Sequence, residues 1–260
     1  MGMFSILPPA QKVVTPSEAA AQVRYFADKE IIAFDTETTG LSRTKDRAII
    51  LALSDGIERC AIWPAAIPYF ADILEDPSKV LIAHNANYDC HMLKNIGINV
   101  YSKSIRKLYR IYDTMVMHAL LSDISPHDLK SNAKNFLGIE MASFASVFDL
   151  KGRKKKNLED ILMDPKNSDI VCNYASLDAY ATYKLFFVLK KYLSEMSIPE
   201  YPGIGSLWDY YVKTELPFTK VLYELETNGV TLNKEILTEI EPVMRNKMTE
   251  IQKWFGNVVT

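Results

Sequence analysis

The sequence predicts an α/β protein: a mixed β-sheet flanked by helices, with a C-terminal helical extension. Three observations carry that expectation. Apolar strand-like runs come early, and two of them are joined by Asp55-Gly56, a hairpin-turn dipeptide. Strands then alternate with helical segments, the pattern of a layered fold with a mixed sheet. Finally, the Pro- and Gly-rich stretch from Ile198 to Gly205 reads as a connector ahead of two further helices.

The elements follow in order. Residues 1–15 read as an irregular arm. Thr15-Pro16-Ser17-Glu18 opens a helix capped by Thr15 or Ser17, with Ala19, Val23 and Phe26 spaced for one buried face. A buried strand covers 31–36, and 48–54 and 59–64 continue it as a meander. Tyr69 to Leu74 reads as a helix broken by Asp76-Pro77. Val80 to His84 is a second buried strand, running into a helix capped by Asn85 and closed by Gly97. Tyr112 to Met117 is a short strand or a helix start, and 129–137 and 157–163 are short helices. Ser168 to Leu193 is a long periodic helix. Ser206 to Asn228 is a helix stopped by Gly229, and Asn233 starts another that runs nearly to the end. The expected domain edge lies near residue 200, giving a main body over 1–200 and a helical extension over 201–260.

The bulk properties exclude several classes. The 260 residues are 48% hydrophobic and 24% charged, an ordinary globular composition with length for one or two domains. Net charge is −2, so no overall basic signal for nucleic acid exists, although an enzyme can be acidic overall when its metal site carries carboxylates. Cys60, Cys90 and Cys172 are odd in number and form no C-x-x-C pair, which predicts reduced thiols and a cytoplasmic location. No secretory signal and no membrane-spanning run is evident.

Chemistry concentrates at Phe34-Asp35-Thr36-Glu37-Thr38-Thr39-Gly40-Leu41, where an apolar strand ends in two carboxylates one residue apart. Strand side chains alternate, so Asp35 and Glu37 project to one face and repel each other unless a cation lies between them. Hard oxygen donors favour Mg²⁺ or Mn²⁺. One such spacing is expected by chance, and Asp28-Lys29-Glu30 in a polar stretch is a decoy. Asp89, just after the second buried strand, offers a further carboxylate. Tyr174 and Asp178 stand at i and i+4 on one face of the long helix. Tyr109 and Asp113 share that spacing without its helical context. Several carboxylates gathered in this way suit phosphoryl transfer at two metal ions.

In order along the chain, Phe34-Asp35-Thr36-Glu37-Thr38-Thr39-Gly40-Leu41, His84-Asn85-Ala86-Asn87-Tyr88-Asp89 and Tyr174-Ala175-Ser176-Leu177-Asp178-Ala179 resemble the three motifs of DEDD-superfamily 3′–5′ exonucleases. Tyr174 places the chain with the tyrosine-bearing subgroup, and Tyr112-Asp113-Thr114-Met115 adds to the likeness. The resemblance covers roughly residues 25–195 and is strongest to the proofreading domain of family A, polymerase I-like, DNA polymerases, phage members included. It implies a ribonuclease H-like fold and two divalent ions, Mg²⁺ with Mn²⁺ as substitute. It also implies Asp35, Glu37 and Asp178 as ligands of the tightly held ion. Asp35 and Asp89, the latter directly or through water, would face the second, and Tyr174 would orient the attacking water. Leu41 would wedge against the terminal base, Asn85 would bond the substrate strand, and Phe144 would stack on a base. The implied substrate is a single-stranded or frayed DNA 3′ end, released as nucleoside 5′-monophosphates.

Other features weigh less. Arg153 to Lys156, and Lys103, Arg106, Lys107 and Arg110, are candidate phosphate contacts or solvated charge. His84, His91, His118 and His127 lack zinc spacing, and His84 is expected to be structural. Residues 211–230 resemble the entry to a family A polymerase domain, whose nucleotide-binding motifs are absent from this sequence. Either the polymerase is a separate polypeptide that docks on 201–260, as in a stand-alone viral-type subunit, or the chain is an excised fragment. An RNA-processing exonuclease similar to ribonuclease D and a non-catalytic polymerase-binding module are the alternatives.

Overall fold

The computed structural model describes residues 7–101, 110–148, 157–199 and 203–258. Its centre is a six-stranded mixed sheet in the order β1-β4-β3-β2-β5-β6. The strands are β1 (Ala10–Val13), β2 (Ile31–Thr38), β3 (Ala48–Ser54), β4 (Arg59–Ile62), β5 (Val80–Ala83) and β6 (Ile111–Asp113). The expected meander forms, with β2, β3 and β4 antiparallel in turn. At its turn the Asp55 carboxylate accepts from the Ile57 and Glu58 amides, and Gly56 takes the left-handed backbone (φ 76°). β5 joins β2 in parallel, and β6 joins β5 the same way.

The N-terminal arm differs from its expectation. Ala10–Val13 is an edge strand, parallel to β4, instead of irregular chain. Of its four residues only Val13 is buried, so no apolar alternation marks it in the sequence.

Helices cover both faces. The α-helices among the described residues are α1 (Pro16–Ala27), α2 (Ala71–Glu75), α3 (Ala86–Lys94), α4 (Thr114–Ala119), α5 (Leu129–Asn132), α6 (Phe144–Val147), α7 (Leu158–Leu162), α8 (Ser168–Glu195), α9 (Leu207–Tyr210), α10 (Leu216–Asn228) and α11 (Lys234–Val258), the last in a separate compact unit. Thr15 and Glu18 close a capping box at α1. One core packs Ile32, Phe34, Leu51 and Leu53 against Phe26 of α1 and Cys90 and Leu93 of α3. On the other face Ile50 and Ala52 meet Val171, Ala175 and Ala179 of α8. Further along the same helix, Ala33 and Ile82 meet Leu185 and Leu189. The alternation in β2 is therefore fixed by packing: Ile32 and Phe34 look toward α1 and α3, and Ala33 looks toward α8. All three cysteines are buried free thiols.

The chain divides into compact units Met1–Tyr223 and Glu224–Thr260. The first reaches well past residue 200 because Leu207, Trp208, Tyr211 and Leu216 join the core under α8. Among the described residues no helix is long and apolar enough to cross a membrane.

Candidate active site

Because Ala33 faces α8, Asp35 and Glu37 do too, two and four residues further along β2. α8 brings Asp178 to the same place. Ligand oxygens of Asp35, Glu37 and Asp178 all lie within 4.8 Å of one another. The pairing register slips between Glu37 and Thr38, a bulge that ends the regular ladder where the carboxylates emerge. Burial and mutual repulsion push these acids up. Glu37 rises to about 8, first through burial and then through Asp178 and Asp89. Asp178 rises to about 7 through burial, and Asp35 lies well above the carboxylate range through burial and its three neighbours. Three crowded oxygen acids that resist ionisation together are a fit for a hard divalent cation, which favours the ionised form of each.

Asp89 stands differently. Thr36, between the two strand carboxylates, points to the other face, and its amide and hydroxyl both donate to Asp89 Oδ1. Asp89 thus lies outside the three-oxygen cluster, yet its charge is the second cause of the upward shift at Asp35. Burial holds Asp89 itself at about 7, against the two Thr36 bonds.

Tyr174 lies one turn before Asp178. Its ring meets the edges of Phe144 (5.8 Å) and Phe148 (6.3 Å). Lys130 on α5 donates to the Tyr174 hydroxyl at 3.1 Å and lies 4.9 Å from the ring centroid. Burial, then the charges of Asp178, Glu37 and Asp35, raise the Tyr174 pKa, so the phenol stays protonated. Phe144 is therefore already engaged with Tyr174 within the protein.

Leu41 is 86% exposed, at the tip of a pinned turn. The Thr38 and Tyr88 hydroxyls meet at 2.6 Å and both reach the Gly40 carbonyl. A Cβ on Gly40 would fall 2.7 Å from Asp46, which is itself held by Thr39 and the Ser42 amide. Asn85 has a left-handed backbone (φ 69°, ψ 49°), and its side chain caps nothing, contrary to expectation. Asp113 does the capping: its carboxylate accepts from the amides of Asn85 and Ala86 at α3 and of Met115 and Val116 at α4. In the sequence Asp113 shares the Tyr174–Asp178 spacing with Tyr109 without its helical context, and nothing there shows that two of its partners are backbone amides 27 and 28 residues away.

Arg110 is not a phosphate contact. It is buried, and its guanidinium donates to the carbonyls of Leu74, Val100 and Lys79. Lys103, Arg106, Lys107, and Arg153 to Lys156 lie outside the described residues. His84 is structural, joined to Thr114 Oγ1 and the His127 carbonyl.

The family model described as 3′-5′ exonuclease matches residues 10–194. The chain belongs to this family. Its motifs are those of the DEDD exonucleases of DNA polymerase I type, and the mixed sheet with flanking helices is the ribonuclease H-like fold. DNA polymerase I of Pseudomonas aeruginosa is 25% identical over 249 residues, 90% of this chain and 25% of that protein. Rice chloroplastic DNA polymerase I A is 28% identical over 197 residues, covering 66% of the chain and 18% of the relative. The chain thus spans about a quarter or less of these polymerases' length. In fold it resembles a Pol1 structure from M. smegmatis solved with DNA primer-template (TM-score 0.65, 17% identity, 92% of this chain, 36% of that one). It also resembles Escherichia coli RNase D (TM-score 0.58, 16% identity, 85% and 51%).

Proposed function

We propose that the chain degrades DNA from its 3′ end to nucleoside 5′-monophosphates in proofreading, with Asp35, Glu37 and Asp178 as the principal metal ligands and Asp89 serving a second ion. The convergence of three carboxylate oxygens within 4.8 Å, with Tyr174 one helical turn away, carries this reading. Mg²⁺ is the expected ion, and Mn²⁺ suits the same donors. A bound divalent ion supplies Lewis acidity toward water and charge neutralisation at the phosphate.

The remaining work falls to the chain's own groups. The Tyr174 hydroxyl, held by Lys130, orients the water for in-line attack. Leu41, on its pinned turn, enters beside the terminal base, and Asn85 bonds the strand near its end. Phe144 keeps the Tyr174 ring in place and offers its remaining surface to a base. Such a site accepts a single strand, so a mismatched terminus enters at lower unpairing cost. DNA is favoured as substrate because the sequence relatives are DNA polymerases.

Residues 1–200 form the catalytic region in this proposal and 201–260 its helical extension. In the second compact unit α11 exposes Ile240, Met244, Met248, Ile251 and Trp254 along one stripe, the kind of surface a separate polymerase polypeptide would cover. The chain would act in the cytoplasm, where such a polymerase replicates DNA.

The test is digestion of 3′-mismatched DNA, paired DNA and RNA of equal length with Mg²⁺, Mn²⁺ or EDTA. Metal-dependent release of mononucleotides, fastest from mismatched DNA, is expected. Faster digestion of RNA overturns the DNA assignment, and no release from any substrate overturns the catalytic one.

A further inference from the structure

Lys130 has no place in the motifs that define the family resemblance, yet from α5 it reaches the Tyr174 hydroxyl, one helical turn from Asp178. Its ammonium has two observed partners. One is the Tyr174 hydroxyl at 3.1 Å, and the other is the Ala142 carbonyl at 2.7 Å. The helix that carries it is itself anchored, since the Asp128 carboxylate accepts from the Ser131 amide and Asn132 donates back to the Asp128 carbonyl. Asn132 is fully buried.

The chemistry of this contact is one-directional. An ammonium has three donors and no acceptor, so the phenol oxygen must accept. Its own O–H is then directed away from Lys130 and remains free to donate elsewhere. Phe144 and Phe148, with ring centroids 4.5 Å apart, both pack edge-on against the Tyr174 ring from the same side and hold its position. Without Lys130 the phenol would keep its ring position but lose the partner that sets its hydroxyl rotamer. The same ammonium also opposes the raised pKa of Asp35, Glu37 and Asp178.

We infer that Lys130 is a positioning residue for the exonuclease reaction: by donating to Tyr174 it makes that phenol a hydrogen-bond donor aimed at the attacking water. The inference rests on the exonuclease reading of the site. A lysine acting through Tyr174 should influence turnover more than DNA binding, and its effect should disappear once the hydroxyl is gone.

The test is a double-mutant cycle on a 3′ single-stranded DNA with Mn²⁺, using Lys130→Met, Tyr174→Phe and both together. Losing one charge-assisted hydrogen bond is expected to lower kcat by about 10- to 100-fold with KM changed less than about threefold. The double variant should match Tyr174→Phe within about twofold. Lys130→Arg, which also lacks an acceptor, should recover most of the lost turnover. In metal-free protein labelled at tyrosine Cζ, the Tyr174 signal, assigned by its loss in Tyr174→Phe, should move in Lys130→Met. Multiplicative effects in the double variant, or a rise in KM with kcat unchanged, would show that Lys130 acts on DNA directly and overturn the proposal. An unmoved Tyr174 signal would overturn it as well. A wild-type chain that releases no mononucleotide would remove the exonuclease reading, while the labelled-tyrosine measurement still decides the Lys130–Tyr174 contact.

Discussion

Replacing Glu37 by Gln should stabilise the metal-free protein, and increasingly so as pH rises. In the folded chain Glu37 is held at about 8 against an ordinary 4.5, by burial and by Asp178 and Asp89. A carboxyl whose folded pKa is raised binds its proton more tightly in the native state. Stability therefore falls as pH rises from about 4.5 to about 8. At about 1.36 kcal/mol per pH unit, the gap between the variant and the wild type should widen by about 3 kcal/mol between pH 5.5 and pH 8. The amide retains part of the penalty of polar burial, so the absolute gain at pH 8 is about 2–4 kcal/mol. Urea unfolding of both proteins in EDTA at the two pH values measures this, and the difference between proteins cancels groups that titrate elsewhere. Added Mn²⁺ should reverse the ranking, because the wild type gains stability by binding and the variant has lost a ligand. A gap that stays constant with pH, or a variant less stable than wild type in EDTA at pH 8, would refute the argument that crowding and burial hold these acids protonated.

Asp35→Ala should lower exonuclease turnover by about a thousandfold or more while the far-ultraviolet circular dichroism spectrum is unchanged, since the substitution relieves repulsion among the acids. Leu41→Ala should leave unfolding free energy within about 0.5 kcal/mol of wild type, because the side chain is 86% exposed. The same variant should weaken digestion of paired ends more than of single strands in a gel assay. Asp113→Ala removes acceptors from the first turns of α3 and α4, and should destabilise by about 2–4 kcal/mol in urea unfolding. Its loss of activity should follow from the displaced Asn85 and should be partly rescued by Asn, which keeps one acceptor.

The sequence carried the sheet's centre because its signals are local there. Apolar runs at Ile31–Phe34 and Val80–Ala83 and the Asp55-Gly56 turn each specify an element from neighbouring residues. The pair Asp35 and Glu37 was legible for the same reason, since strand alternation alone puts both on one face. Asp178 was marked by its helical spacing from Tyr174, and its meeting with Asp35 and Glu37 was implied by the resemblance of the three motifs, since no local signal joins α8 to β2. What stayed hidden is long-range. β1 has one buried residue and exists through its pairing with β4. Thr36 draws Asp89 out of the three-oxygen cluster across 53 residues, which no spacing encodes. Asp113 serves backbone amides of α3 that lie far from it in the chain, so its carboxylate looked idle. Arg110 reads as surface charge in a basic stretch, yet its guanidinium is satisfied by buried carbonyls. Lys130 is a single lysine in a four-residue helix, and only the fold brings it to Tyr174.

Asp35, Glu37 and Asp178 are proposed to form the metal centre together. Crystals soaked in Mn²⁺ and measured at the manganese absorption edge test it most directly. An anomalous difference peak is expected among the three carboxylates, absent in Asp178→Asn crystals treated identically. A strong peak elsewhere in the body of the protein, with none among Asp35, Glu37 and Asp178 at saturating Mn²⁺, would contradict it.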